Sequence, residues 1–165
     1  MSIDRRRNMI RVLVADDDSQ VLECYLEAFG DAPPDAGVDA LDRLAAELFD
    51  SSPDPAAETP RFDIVACTQG EDAIREVAAA VVRGRPFDVV ILDVRMPPGI
   101  DGVEAGSRIR ELDADVEIVF VSGYSDMQLQ DLQRRVPPPV RLHFFNKPLS
   151  FSRLAEDVVT LVRSH

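Results

Sequence analysis

Hydrophobic and polar positions follow two different periods along the chain. Short, nearly continuous apolar runs occur at Ile10–Ala15, Phe62–Cys67, Val89–Leu92, Ile118–Val121 and, less regularly, Val140–Phe145. Continuous apolar runs of this length predict β-strands that are covered on both faces.

Between these runs, apolar residues recur every three or four positions, which is the period of an amphipathic helix. The recurring positions are Leu22, Tyr25, Leu26 and Phe29; Ile74, Val77, Ala78 and Val81; Val103, Ile109 and Leu112; and Leu154, Val158, Leu161 and Val162. The segment Met127–Arg135 has a weaker helical pattern. Because parallel strands need crossover connections, five strands separated by helices predict an α/β fold. We expect a flavodoxin-like, doubly wound, five-stranded parallel sheet in the order 2-1-3-4-5.

The connection between the first helix and the second strand, about residues 30–61, is much longer than an ordinary connection. Within it, the sequence "VDALDRLAAELF" places Leu41, Leu44, Ala45 and Leu48 on one helical stripe, which predicts an extra inserted helix. This stripe either packs beside the first helix or forms a partner surface. We favour packing, since an apolar stripe more often meets its own core.

Composition and charge narrow the class of protein. The chain has 165 residues, of which 45% are hydrophobic, so residues 1–165 are expected to form one compact domain. Eighteen basic and thirty acidic residues give a net charge of −12, which disfavours direct binding to nucleic acids or anionic lipids. The basic start resembles a signal peptide, but Arg11 interrupts its apolar stretch, and no later segment is long enough for membrane insertion. A cytoplasmic location is expected.

The two cysteines, Cys24 and Cys67, lie in apolar surroundings without a CxxC pattern or a nearby pair of histidines. We interpret them as buried thiols in a reducing compartment. This interpretation is favoured over a disulfide bond or a role in metal binding.

Chemically active residues follow the predicted strands. Asp16 and Asp17 follow the first strand, Asp93 the third, Ser122 the fourth and Lys147 the fifth. The carboxyl ends of parallel strands share one edge of a sheet, so these side chains should converge. Carboxylates about 4 Å apart repel by roughly 4 kcal/mol at an effective dielectric constant near 20, so the cluster needs a cation. Magnesium fits because it prefers oxygen ligands, whereas the histidine and thiolate ligands typical of zinc are missing from these strand ends.

These residues resemble the conserved set of response regulator receiver domains of two-component signalling. The resemblance comprises the acidic pair in "VLVADDDS", an acceptor aspartate before "MPPGIDG", a hydroxyl residue after the fourth strand and "KP" after the fifth. It covers almost the whole chain apart from residues 31–61. It implies a single receiver domain that takes a phosphoryl group from a histidine kinase or a histidine-containing phosphotransfer protein onto Asp93.

The resemblance also implies roles for the other residues. Asp17 and Asp93 would bind Mg2+ directly, Asp16 through a water molecule, and Arg95 through its main-chain carbonyl. Ser122 and Lys147 would hold phosphoryl oxygens.

Phe144, three residues before Lys147, matches the switch aromatic of these domains, and Ser122 matches the hydroxyl that moves towards the phosphate. A cis peptide between Lys147 and Pro148 is implied as well. Asp18 is interpreted as a solvated start to the first helix.

Three features depart from the family pattern. The loop "MPPGIDG" is one residue longer than the common "MPGMDG" form, Gly123 replaces the more usual alanine, and Arg95 and Tyr124 are bulky at positions that help to set the lifetime of the phosphate.

Two other classes of protein compete with this interpretation. An aspartate-nucleophile phosphohydrolase would require an acid where the chain has Arg95. A receiver-like scaffold that never takes phosphate would normally lack one of the key residues, yet all are present. The chain is expected to catalyse only its own phosphorylation and dephosphorylation, and not to be an enzyme in the turnover sense. With only a short tail after the last predicted helix, no output domain is expected; the downstream protein and a homodimeric state are left open.

Overall fold

The computed structural model describes residues 9–30, 60–123 and 128–164. Within these ranges the strands are β1 (Met9–Ala15), β2 (Arg61–Cys67), β3 (Val89–Asp93), β4 (Glu117–Ser122) and β5 (Leu142–Asn146). The helices are α1 (Ser19–Phe29), α2 (Gly70–Val82), α3 (Gly102–Leu112), α4 (Leu129–Arg135) and α5 (Phe151–Arg163), with a 3-10 turn at Pro139–Arg141.

The five strands form one parallel sheet in the order β2-β1-β3-β4-β5. Val12 pairs with Val89, Asp93 with Val121, and Ser122 with Asn146. The predicted flavodoxin-like sheet and its strand order are therefore confirmed.

Strand alternation divides the core into two clusters, one on each face of the sheet. On β1, Leu13 and Ala15 join the cluster that packs against α2 and α3, whereas Val12 and Val14 join the cluster that packs against α1 and α5. Because successive side chains point to opposite faces, a continuous apolar run supplies both clusters. The sheet is thus covered by helices on both faces.

Three helices begin at polar residues that cap them. The carboxylate of Asp18 accepts a hydrogen bond from the amide of Gln20 at α1, and that of Asp101 accepts from Glu104 at α3. The Ser150 hydroxyl accepts from Arg153 at α5. Such caps satisfy amides that have no partner within the helix. The interpretation of Asp18 as the start of the first helix is confirmed.

Most predicted strand boundaries agree with the structure to within one residue, and two elements begin two residues later than predicted. β5 begins at Leu142 and not at Val140, because residues 139–141 form the 3-10 turn. The weakly predicted helix begins at Leu129. The helix predicted between residues 38 and 49 lies outside the described residues.

The prediction that both cysteines are buried is half wrong. Cys67 is buried at the end of β2, where burial raises its pKa to about 11. Cys24 is exposed, because it falls on the outer side of α1 between the core positions Leu22 and Tyr25. Within the described ranges, no helix is both long enough and apolar enough to cross a membrane.

Candidate functional site

The structure brings the predicted site residues to the carboxyl edge of the sheet. Asp16 and Asp17 directly follow β1, Asp93 is the last residue of β3, Ser122 ends β4, and Lys147 directly follows β5. Since β1, β3, β4 and β5 are consecutive neighbours, these five residues occupy one continuous stretch of the edge.

Three carboxylates form a compact group at this edge. Asp16, Asp17 and Asp93 each offer an oxygen, and the three oxygens lie within 4.8 Å of one another. Asp16 is 1% exposed, Asp17 is exposed, and Asp93 is intermediate. A set of hard oxygen donors that faces solvent on one side suits Mg2+, which usually keeps several waters beside one or two protein carboxylates.

The ammonium group of Lys147 lies between two of these carboxylates. Its Nζ donates to Oδ2 of Asp16 at 3.0 Å and lies 3.6 Å from Oδ2 of Asp93. The main-chain amide of Lys147 donates to the carbonyl of Ser122 at 2.9 Å, which fixes the backbone beside β4. Burial lowers the pKa of Lys147, but the hydrogen bond to Asp16 and the charges of Asp16 and Asp93 outweigh burial and raise it overall. Lys147 therefore stays protonated.

Both carboxylate oxygens of Asp16 already have protein partners. Oδ1 accepts from the amide of Asp18 at 2.9 Å, and Oδ2 accepts from Lys147. Asp16 is therefore held inward by the protein, whereas the exposed Asp17 faces solvent.

Asp93 is less acidic than an ordinary aspartate. Burial and the neighbouring charge of Asp16 raise its pKa to about 6. Lys147 and a hydrogen bond from the main-chain amide of Arg95 act in the opposite direction. At neutral pH the Asp93 carboxyl is mostly ionised and available as a nucleophile.

Ser122 and Phe144 lie on neighbouring strands. Ser122 is buried at the end of β4, and Phe144 is partly buried on β5, where it packs against the cluster beneath α2 and α3. A Cβ added to Gly123 would meet Lys147 in ordinary van der Waals contact, so there is room for a larger residue such as alanine at this position. The peptide between Lys147 and Pro148 is cis, as predicted.

The sequence interpretation missed two side chains that hold the loop after Asp93. Gln69 and Glu71, at the start of α2, accept hydrogen bonds from the amides of Gly99 and Ile100, both at 3.1 Å. The available signal was the segment "TQGED", because it follows β2 and must therefore lie at the same edge as the acids.

Comparisons with known proteins agree with this geometry. Residues 55–158 match the family described as response regulator receiver domain. Asp16 and Asp17 precede the matched residues, so the structure places them in the site independently of that match. Over 75 residues, or 46% of this chain, the sequence is 33% identical to "Sensor kinase CckA" of Brucella abortus, and it covers 8% of that protein's length.

Solved structures share the fold. A CheY-like receiver domain protein from Methanospirillum hungatei matches with a TM-score of 0.64 and 13% identity, over 94% of this chain and 95% of that one. The response regulator TrrA of Thermotoga maritima, solved in complex with Mg(2+)-BeF, matches with a TM-score of 0.58 and 24% identity, over 93% of this chain and 99% of that one.

Proposed function

This chain belongs to the response regulator receiver domain family of two-component systems, and we propose that Asp93 is its phosphoacceptor. The observation that carries the proposal is the meeting of Asp16, Asp17 and Asp93 with the Lys147 ammonium at one edge of the sheet. Helix capping explains Asp18, but it does not explain why three carboxylates and a lysine share one site.

Magnesium is the proposed cofactor. Asp17 and Asp93 would bind it directly, and the main-chain carbonyl of Arg95 would supply a further ligand. Asp16 would act through a bound water, in agreement with the protein partners that already occupy both of its oxygens. Bound Mg2+ neutralises carboxylate and phosphoryl oxygens. The Mg2+ complex of TrrA supports this assignment by analogy.

The proposed chemistry is a phosphoryl transfer between proteins. A carboxylate oxygen of Asp93 attacks the phosphorus of a phosphohistidine, a P–O bond to Asp93 forms, and the P–N bond breaks with its electron pair on the donor imidazole. Lys147, which is held near Asp93, would pair with a phosphoryl oxygen, and the Ser122 hydroxyl would hold another. Such a reaction needs positioning and charge neutralisation more than it needs acids or bases.

The proposed donor is a sensor histidine kinase or a histidine-containing phosphotransfer protein. One similar protein is itself named a sensor kinase, which supports this class of partner. Receiver domains are signalling modules and not classical enzymes. The protein would accordingly catalyse only its own phosphorylation and dephosphorylation and would transmit its state to a downstream protein.

The main alternative is a receiver-like scaffold that never takes phosphate. An aspartate-nucleophile phosphohydrolase is less favoured, because Arg95 stands where that class carries its second acid.

Labelling with a small phosphodonor tests the proposal. Incubation of the full chain with acetyl phosphate and Mg2+ should add one phosphoryl group, and Asp93→Asn should add none. The adduct is measured by intact-protein mass spectrometry, with Asp88→Asn, an exposed aspartate at the opposite end of β3, as the matched control. An equal adduct on Asp93→Asn would show that another residue accepts the phosphoryl group. A wild type that is not labelled would favour the alternative of a receiver-like scaffold that never takes phosphate.

A further inference from the structure

A groove lies at the amino edge of the sheet, which is the edge opposite to the one that carries Asp93. Its volume is about 560 Å³, which is in the range of clefts that bind ligands. Val81 near the end of α2, Leu112 at the end of α3 and Phe87 before β3 form part of its apolar wall. Val81 is 38% exposed and Leu112 is 41% exposed, so the described residues leave part of this wall uncovered.

Four acidic residues also line the groove. Glu117 begins β4, and the other three, which we name the groove acids, are Asp88, Asp113 and Asp115. The carboxylate of Asp88 accepts from the amide of Arg11 at 2.8 Å, and that of Asp113 accepts from the amide of Asp115 at 2.9 Å. Within the part of the chain that the structure describes, no arginine or lysine forms an ion pair with a groove acid.

The arginines beside the groove are engaged with other groups. Arg141 pairs with Glu117 at 2.9 Å. The guanidinium of Arg110 is buried and donates to three main-chain carbonyls. Arg11 pairs with Asp63 at 3.0 Å and lies over the ring of Phe87. The groove therefore combines an open apolar wall with uncompensated negative charge, and it fits a basic segment that also has an apolar side chain.

The sequence contains one segment of this kind close to the groove. Arg5, Arg6 and Arg7, which we name the arginine triplet, form the longest basic run in a chain whose net charge is −12. Ile3 lies two residues before the triplet. The triplet precedes β1, and β1 starts at the amino edge of the sheet, so the segment joins the sheet at the edge where the groove lies.

Chain geometry allows the arginine triplet to reach the groove acids. Because the amide of Arg11 donates to Asp88, the groove starts beside β1. β4 lies two positions from β1 in the sheet, which is about 10 Å at the usual strand spacing. Four extended residues span up to about 13–14 Å, so residues 5–8 are long enough to cross from Met9 to Asp115.

We infer that the segment before β1 docks in this groove, with the arginine triplet paired with the groove acids and Ile3 against the apolar wall. A short tether gives an effective concentration in the millimolar range, which favours this segment over a free basic peptide. A second copy of the chain is repelled at long range, since both copies carry a net charge of −12. Docking would neutralise the groove acids and hold the start of β1. It does not depend on the proposed function, because the groove lies at the edge opposite to Asp93.

Limited digestion of the full chain with trypsin tests the docking, because trypsin cleaves after arginine and a docked segment is protected. The groove variant is Asp88→Asn/Asp113→Asn/Asp115→Asn. Asparagine keeps an oxygen acceptor for the amides of Arg11 and Asp115, so the fold should be retained. Cleavage within the arginine triplet should be about threefold to tenfold faster in the groove variant, since exposed ion pairs are individually weak. Mass spectrometry of the intact protein measures the loss of the segment.

A control variant removes the same charge from exposed positions of α1 and α5. It is Glu23→Gln/Glu27→Gln/Glu156→Gln. Its arginine triplet should be cleaved at the rate of the wild type. An equal acceleration in the control would assign the effect to net charge, and equal rates in the wild type and the groove variant would show that the groove acids do not hold the segment. Either result would overturn the inference.

Amide resonances of the groove give a second measurement. In low salt, Arg5→Ala/Arg6→Ala/Arg7→Ala should shift the resonances of the groove acids and Leu112, and the difference from the wild type should shrink in about 1 M NaCl, where charges are screened beyond about 3 Å. Arg134→Ala/Arg135→Ala/Arg153→Ala removes three exposed arginines elsewhere and should leave these resonances unchanged. Unshifted groove resonances in the triplet variant would overturn the inference. Differences that disappear on dilution would place the triplet in the groove of a second copy and would overturn docking within one chain.

Discussion

At the scale of single residues, the charge of the ionised Asp93 carboxylate is unfavourable in its surroundings. Burial and the neighbouring Asp16 carboxylate raise its pKa to about 6, and Lys147 only partly offsets them. Because the folded state binds this proton more tightly than the unfolded state does, the protein loses stability as the pH rises from about 4 to about 6. A cation that binds the ionised carboxylate would offset this loss of stability.

The first residue-scale prediction concerns Asp93→Asn in metal-free buffer. The substitution removes the buried charge and should raise the free energy of unfolding at pH 7 by about 1–2 kcal/mol, after allowance for solvent screening. The gain should shrink as the pH falls to 4, where the wild-type carboxyl is protonated. Urea denaturation with EDTA at several pH values measures both effects.

The control for this prediction is Glu23→Gln, which removes one exposed negative charge from α1. It should change the stability far less than Asp93→Asn does. If the wild type and Asp93→Asn show the same slope of stability against pH between 4 and 6, the elevated pKa of Asp93 is wrong.

At the scale of elements, α3 begins in direct contact with the end of β3. Gly102 is the first residue of α3, and a Cβ added there would overlap the carbonyl oxygen of Asp93. The Gly102 amide donates to Val94, and Asp101 caps the helix. This start of α3 therefore leaves no room for a side chain, and the backbone of β3 sets its position.

We expect Gly102→Ala to destabilise the protein by about 1–3 kcal/mol, because backbone must move to admit the methyl group. It should also lower labelling by acetyl phosphate, since the displaced backbone carries Asp93. Thermal unfolding and mass spectrometry measure the two effects. Gly123→Ala is the matched control, because its methyl group would only reach ordinary contact with Lys147. Unchanged stability in Gly102→Ala would show that the backbone at the end of β3 moves at little cost.

At the scale of the whole molecule, β4 and β5 connect the acidic edge to the face formed by α4, β5 and α5. Ser122 lies at the edge, and Phe144 lies two residues before the end of β5 with its side chain packed on the cluster beneath α2 and α3. Hydrogen bonds to a charged phosphate contribute about 1.5–3 kcal/mol each, which is enough to change the ratio of two conformational states tenfold or more. A phosphate on Asp93 would draw the Ser122 hydroxyl inward and release space for the Phe144 ring.

The whole-molecule prediction is that Ser122→Ala leaves Asp93 able to bind a phosphoryl mimic but uncouples the α4–β5–α5 face. Beryllofluoride with Mg2+ should shift the amide resonances of α4 and Phe144 in the wild type, and much less in the variant. Resonances near Asp93 should shift in both proteins and so report binding itself. Equal shifts of α4 in the two proteins would exclude the hydroxyl as the coupling element.

The sequence by itself predicted the parallel sheet, whose order the structure confirms, and the residues that meet at its carboxyl edge. Continuous apolar runs must become covered strands, and the acids, hydroxyl and lysine that follow those strands must meet at one edge of a parallel sheet. The parallel sheet and its edge needed only local periodicity and the rule for crossover connections, whereas the strand order came from the expected flavodoxin-like fold. They therefore hold even where an individual boundary was predicted wrongly, as at the later start of β5.

Only the tertiary structure decided which groups pair within that edge. It set Lys147 closer to Asp16 than to Asp93, and it placed the start of α2 against the loop that follows Asp93. Side-chain partners depend on distances of a few ångströms between segments far apart in the chain. Hydrophobic periodicity fixes which face a residue occupies, but it carries no information on those distances.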